Sequence, residues 1–322
     1  MILNHTQTID LFPIAPYSFD VSFHKPDHFP TSDNYWQPGV RWQTMRWQGV
    51  PLGLKFENAG TLYQPCIRLS IWSQAPRDSY YIKGLRQELE YRLFLNLDLT
   101  VFNQRFGDDP QLGPIIARWR GMRPLSVSSL YEYLIIAIML QNATVKRTVS
   151  MMQVMYEHYG TLLEYDGRQF YCSWEAQDLD NVTEDELRAL KVGYRAKFLL
   201  RISRAFSGAI DEIALRSQIR TEQRKALLSL YGVGPASAGY ILSDVFHHMD
   251  EMDHISPWEQ KIYSKLFFDV DPEQPVPVKQ LMELFNQRFG GYRALAVHYI
   301  WEDLFWKRKN ENIPWLEKLI RL

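Results

Sequence analysis

The sequence predicts an α+β protein: a small antiparallel sheet at the N-terminus, then a mostly helical body. Three observations predict it. Up to about Trp72 apolar residues recur at every second position, and from Gln87 onward they recur with a helical period. Between Thr221 and Leu266, two apolar-periodic helices flank Gly232-Val233-Gly234. A chain of 322 residues can bury a substantial core and hold more than one domain. Its 46% hydrophobic and 23% charged residues are those of an ordinary globular protein. The division falls at residues 1–100 for the β-rich domain and 101–322 for the helical core, with the glycine-centred helix pair at 221–246.

Phe19, Val21 and Phe23 alternate with Asp20 and Ser22, Leu54 and Phe56 with Lys55 and Glu57, and Ile67, Leu69 and Ile71 with Arg68 and Ser70. A period of two fits half-buried antiparallel strands. Val50-Pro51-Leu52-Gly53 and Asn58-Ala59-Gly60 read as turns between them. Tyr35, Trp36, Trp42 and Trp47 read as core. Further on, Gly107-Asp108-Asp109-Pro110 and Gly121-Met122-Arg123-Pro124 break the first helical stretches. Ser129-Leu130-Tyr131-Glu132 has the form of a capping box, and it opens YLIIAIML, a run apolar enough to be buried on every side. That run ends at Gln141-Asn142-Ala143-Thr144. Residues 159–180 show no informative period and read as loop. Thr183 starts a short helix with Glu184, Asp185 and Glu186 in its first turn, where acidic groups suit the dipole, and it ends at Val192-Gly193.

A glycine inside a helix costs about 1 kcal/mol, so Gly232 and Gly234 mark a tight hairpin between helices rather than helix interior. Pro235 then occupies the first turn of the second helix, where its missing N–H is harmless. Bare N–H groups at such a helix start suit a phosphate. Asp253 follows, just ahead of a new helix opened by Ser256, Pro257 and Glu259. The last long helix reads RALAVHYIWEDLFW, and Pro314-Trp315-Leu316 docks behind it as a C-terminal cap.

The pattern LxxLYGVGPxSAxYIL from Leu227 to Leu242, followed by an Asp and a helix, resembles the DNA glycosylases of the helix–hairpin–helix superfamily. The resemblance covers about the last two-thirds of the chain, and an N-terminal sheet is what the alkylbase and 8-oxoguanine branches possess. It implies an enzyme of base excision repair that flips a damaged base out of double-stranded DNA and hydrolyses the base–sugar bond. Gly232, Val233 and Gly234 would grip the DNA backbone. Asp253 would stabilise the positive charge that grows on the sugar and orient water, with Asp250 as the nearest competitor and a plain helix-capping role as the alternative. Gln141 and Asn142 match the polar residue that such enzymes push into the gap left by the base; a polar helix end facing solvent is the other explanation. Gly193-Tyr194-Arg195-Ala196-Lys197 resembles a turn that wedges an aromatic into the duplex and contacts the opposite strand, which assigns Tyr194 and Arg195 to DNA.

Lyase members of the family carry a nucleophilic Lys two positions after the second glycine. Here Ala236 stands there and cannot form a Schiff base, so a monofunctional enzyme using water is expected. The adenine-removing branch has a catalytic Glu where this chain has Ala137. Tyr240 and Trp301 fall near the pocket aromatics of the alkylpurine branch, whose electron-rich rings suit cationic bases, or they are simple core residues. The match is partial, because Ala236 also replaces a pocket Trp of that branch. Val297 stands where the 8-oxoguanine branch has a Gln that reads the base. An alkylated purine is therefore the expected lesion. An oxidised or deaminated base, or a lesion-binding role without catalysis, are the alternatives.

The net charge is −1, so a DNA partner requires local positive charge. Arg188, Lys191, Arg195, Lys197, Arg201 and Arg204 supply it in a run free of acidic residues, although a solvated helix face would look the same. Cys66 and Cys172 are too few for a disulfide framework or a four-thiolate iron–sulfur cluster, so the resemblance is to cluster-free branches. No metal and no required cofactor is expected; a monovalent cation on the hairpin carbonyls stays open. No apolar run has membrane-spanning length, and no basic stretch leads into an apolar one at the start. The expectation is an intracellular monomer with no membrane partner.

Overall fold

The computed structural model describes residues 1–27, 30–208 and 210–320. The N-terminal part runs β1 (His5–Leu11), α1 (Phe19–Phe23), β2 (Asn34–Gln37), β3 (Val40–Trp47), β4 (Val50–Asn58) and β5 (Ile67–Ser73). The strands form one antiparallel sheet in the order β1-β5-β4-β3-β2. Leu54, Phe56, Ile67, Leu69 and Ile71 bury one face of it against Leu85 and Leu89 of α2 (Ser79–Arg92), as their alternation predicts. Two expectations fail here. Phe19–Phe23 is a helical turn, not a strand: Ser22 bonds back to the Ser18 carbonyl, and the Phe19 and Phe23 rings meet at 4.6 Å. An apolar pair four residues apart satisfies a helix as well as a strand, and only the neighbours decide. Val50–Gly53 is not a turn but the start of β4, paired with Thr44–Trp47. The turn is Gln48-Gly49, both with positive φ (49° and 74°), as a two-residue hairpin requires.

The helical body continues with α3 (Thr100–Phe106), α4 (Leu112–Arg118), α5 (Leu130–Leu140) and α6 (Val145–Tyr159). A hairpin of β6 (Thr161–Tyr165) and β7 (Arg168–Cys172) follows where the sequence reads as loop. Its Asp166-Gly167 turn has positive φ at both residues, and Leu163, Tyr165, Phe170 and Cys172 pack on Trp42 of the sheet. Five-residue strands are too short to declare a period by themselves. Then come α7 (Glu184–Ala189), α8 (Arg195–Gly208), α9 (Glu212–Arg216), α10 (Arg220–Ser229), α11 (Pro235–Asp244), α12 (Pro257–Phe268), α13 (Val278–Phe289), α14 (Arg293–Asn310) and α15 (Pro314–Leu319). Capping boxes at Ser129, Thr183 and Ser256 start α5, α7 and α12, each contributing about 1 kcal/mol.

The helices enclose two apolar cores. One joins α5, α6, α7, α8, α10 and α11; the other joins α3 and α4 to α12, α13, α14 and α15, so the chain begins the second core, leaves to build the first, and returns. A cleft of about 1500 Å³ opens between them. It corrects the expectation for α5. Leu130, Leu134, Ile135, Ile138 and Met139 fill the first core, but Tyr133, Ile136, Ala137 and Leu140, at helical spacing on the other face, line the cleft.

Candidate active site

The helix pair α10 and α11 turns at Leu230–Gly234. Gly232 has φ +93°, and a Cβ there would lie 3.0 Å from the Phe198 ring, so glycine is required on both counts. Val233 is buried and pins the loop to the first core. Gly234 is the N-cap of α11, Pro235 its first residue, and among the described residues no side chain caps the helix, which leaves its first N–H groups for an outside acceptor. Beside the loop, the Tyr231 ring lies 3.9 Å from the Arg201 guanidinium and 5.4 Å from the Lys197 ammonium. The exposed cations of α8 therefore stand next to the hairpin, where a net charge of −1 gives no hint of them.

The end of α5 meets the same loop. Gln141 Nε2 donates to the Gly232 carbonyl at 3.0 Å. Tyr194 Oη donates to the Gln141 carbonyl at 3.2 Å and accepts from Asn142 Nδ2 at 3.3 Å. Gln141, Asn142 and Tyr194 are thus gathered against the hairpin, with Tyr194 and Asn142 exposed and Gln141 half-buried. Arg195 goes elsewhere than expected. It is buried, and its guanidinium donates to the carbonyls of Ile138 and Gln141. The Ile138 carbonyl also accepts from the Gln141 N–H at 3.2 Å, so Arg195 braces the turn that ends α5 from inside instead of reaching toward DNA.

Inside the cleft, α11 presents Ser237, Tyr240 and Asp244 on one face. Tyr133 Oη donates to Asp244 Oδ2 at 2.6 Å, and Tyr240 Oη donates to Glu259, the buried acidic member of the α12 capping box. Across from them stand Trp258 and Lys261 of α12, and the N-terminal segment brings in Lys25 and Asp27. Burial raises the Asp244 carboxyl above its ordinary range, against the opposing pull of the Tyr133 hydrogen bond and Lys25. Burial, then Asp244, push the Tyr133 phenol well up. Burial works against the Lys25 ammonium, but Asp27 and Glu302 outweigh it and hold its pKa above the ordinary value.

Of the two expected pocket aromatics, Tyr240 lines the cleft and Trp301 does not. Trp301 donates to Tyr263 Oη at 2.7 Å and backs Trp258, stacked at 4.9 Å and 19°. Trp258 is the ring that faces the cleft. Sequence reasoning missed it, along with Tyr133 and Asp244, although Ser237, Tyr240 and Asp244 carry the spacing of a single helix face.

Asp253 stands just ahead of α12, as the sequence suggested, but with its carboxylate exposed. It lies on the loop between α11 and α12, with a 63% exposed carboxylate that accepts from Arg224 Nη2 at 2.9 Å. It does not line the cleft; Pro257, four positions on, does. Asp250 is likewise held by Arg220, and this hydrogen bond overrides desolvation to keep its carboxyl below the usual range. Arg220 and Arg224, one turn apart on α10, thus each hold one of these carboxylates. Among the described residues no group of His, Cys, Asp and Glu is arranged to hold a metal, and no helix is long and apolar enough to cross a membrane.

No family model matches the chain. By sequence it is 24% identical over 263 residues to a "Probable N-glycosylase/DNA lyase" of Methanothermobacter thermautotrophicus, covering 76% of this chain and 79% of that protein. It is 30% identical over 254 residues to an N-glycosylase/DNA lyase of Arabidopsis thaliana, covering 74% of this chain and 64% of the relative. It is 23% identical over 150 residues to a DNA-3-methyladenine glycosylase of Bacillus subtilis, covering 46% of this chain and half of the relative's length. Among solved structures, a 3-methyladenine DNA glycosylase from Archaeoglobus fulgidus superposes with a TM-score of 0.72 at 16% identity, over 95% of this chain and 100% of that one. The apo-form of the 8-oxoguanine glycosylase/lyase of Clostridium acetobutylicum gives 0.69 at 18% identity, over 94% and 99%. By sequence its relatives, and by fold its neighbours, are helix–hairpin–helix DNA glycosylases, and the chain shares their architecture of an N-terminal sheet and a helical body.

Proposed function

We propose that this chain is a DNA glycosylase that removes an alkylated purine from double-stranded DNA and leaves the strand uncut. One observation carries the reading: the cleft runs beside the glycine hairpin, and α11 contributes to both. At about 1500 Å³ the cleft exceeds the roughly 300–1,000 Å³ of ordinary small-ligand pockets and has room for a nucleotide still attached to a duplex. In this reading, the uncapped start of α11 with Lys197 and Arg201 holds the backbone, and Gln141 and Asn142 fill the gap. The extruded base lies between Tyr240 and Trp258.

As the base leaves with the bonding electrons, positive charge builds on the sugar. Asp253 is our candidate to face that charge and to take the proton of the attacking water. Its exposure lets it exchange Arg224 for the nucleotide without disturbing packing. The absence of strand cutting is supported by chemistry on this chain. Position 236 is alanine, Lys25 is held protonated by Asp27 and Glu302, and Lys261 and Lys318 both pair with Glu273, at 2.8 Å and 3.3 Å. A Schiff base needs a neutral amine. A monovalent cation on the hairpin would compete with Gln141 for the Gly232 carbonyl, and no step here depends on one.

The test is a set of duplexes, each with one defined lesion, incubated with the protein and then heated in alkali or treated with borohydride. The expected result is base release from alkylpurine duplexes, with strand breaks only after alkali. No release from any duplex would overturn the enzyme reading, and a borohydride-trapped adduct would overturn the monofunctional one.

A further inference from the structure

We propose that the Asp244 carboxylate, presented to the cleft between Tyr133 and Tyr240, selects a positively charged base over a neutral one. This rests on the reading of the cleft as the base-binding site and adds the group that discriminates there. Asp244 is the last residue of α11, and its carboxylate lines the cleft while accepting from Tyr133 at 2.6 Å. Among the described residues, the charged and polar groups facing it are Tyr133, Ser243, Tyr240, Lys25 and Asp27.

Lys25 is the one cation among them, and it is shared: Glu302 lies 3.8 Å from its ammonium, and Asp27 also acts on it. Leaving Glu302 aside, Asp27 and Asp244 already outnumber Lys25. Tyr240 spends its hydroxyl hydrogen bond on Glu259 and offers the cleft a ring face, and Trp258 offers another. A neutral base entering here would strip water from an under-compensated carboxylate. A cationic base brings the missing charge and is attracted by both rings as well. A methylated purinium ring has that chemistry, and an oxidised guanine or a deaminated adenine lacks it.

Quenching of tryptophan emission in the full-length protein, read through Trp258, tests this without any bond being cut. The probes are 7-methylguanosine, in mildly acidic buffer where the ring carries its charge, and guanosine. We expect the wild type to bind the methylated nucleoside on the order of 10-fold more tightly or better, as one desolvated charge pair allows. D244N, which keeps an acceptor for Tyr133, should bring that ratio close to one, and D244E should retain part of it. Equal binding by the wild type, no quenching by either nucleoside, or a ratio untouched in D244N would each overturn the proposal. Lesion duplexes separate it from the broader reading. A nucleoside preference without base release from any duplex keeps Asp244's role and sinks the enzyme. Base release without a preference keeps the enzyme and sinks Asp244's role.

Discussion

The outer ridge of the site and the inner wall of its cleft are built on the same helix pair by opposite means. On the ridge, the Gly232 turn, the start of α11, Asn142, Tyr194 and the α8 cations are open to solvent and rely on backbone groups and flexible charges. On the wall, Asp244, Tyr133 and Lys25 are half-buried, Tyr133 bonds Asp244, Tyr240 bonds Glu259, and all four groups are shifted from their ordinary pKa values. The ridge is suited to a repeating, sequence-independent partner such as a phosphate backbone. The wall carries charge at a cost to the fold, and such a cost is common where a site must discriminate.

Four changes would break or sharpen that contrast, from the largest expected effect to the smallest. Asp253→Asn should slow single-turnover base release by about 10²–10³-fold, the usual loss when a charge-stabilising group is removed, while duplex affinity stays close to wild type. A rate within a few-fold of wild type would take Asp253 out of the mechanism. Gly232→Val forces a β-branched residue to φ +93° against Phe198. Strain of about 1–3 kcal/mol should open the hairpin and weaken duplex binding by roughly 10- to 100-fold, while leaving the nucleoside preference of the inner wall in place. Loss of both together would mean that ridge and wall are not separate. Lys197→Ala with Arg201→Ala should weaken all duplexes alike, and the slope of log affinity against log salt should flatten by about one for each phosphate no longer neutralised. An unchanged slope would move the DNA face elsewhere.

The smallest effect concerns stability. The folded-state pKa of Asp244 is raised, so its ionisation opposes folding. That penalty is absent below the unfolded carboxyl pKa, grows as pH rises through it, and is complete above the folded value. Asp244→Asn should therefore raise Tm by a few degrees at neutral pH and by nothing in acid, as followed by thermal melts. A lower Tm at neutral pH would make Asp244 a structural residue.

Local signals were legible in the sequence, and returns of the chain were not. The hairpin glycines, Pro235 and the boxes at Ser129, Thr183 and Ser256 act through neighbours a few residues away, and each stands where its chemistry puts it. The cleft depends on α12 coming back against α5 after more than a hundred residues, which no local period reports. For the same reason the cleft-facing stripe of α5 looked like core. Arg195 looked like a DNA-binding residue because its sequence neighbours suggest one, while the carbonyls it satisfies belong to another helix. Asp253 has the sequence position of a sugar-facing carboxylate, but α10 supplies an arginine that its own segment does not reveal.

The most direct test of the central claim is a crystal structure of Asp253→Asn bound to a duplex carrying a methylated purine. The account predicts the backbone on the start of α11, the base extruded between Tyr240 and Trp258 with an edge on Asp244, and the substituted side chain turned from Arg224 to the sugar. A base still stacked in the duplex, or a base in the cleft with that side chain left on Arg224, would contradict it.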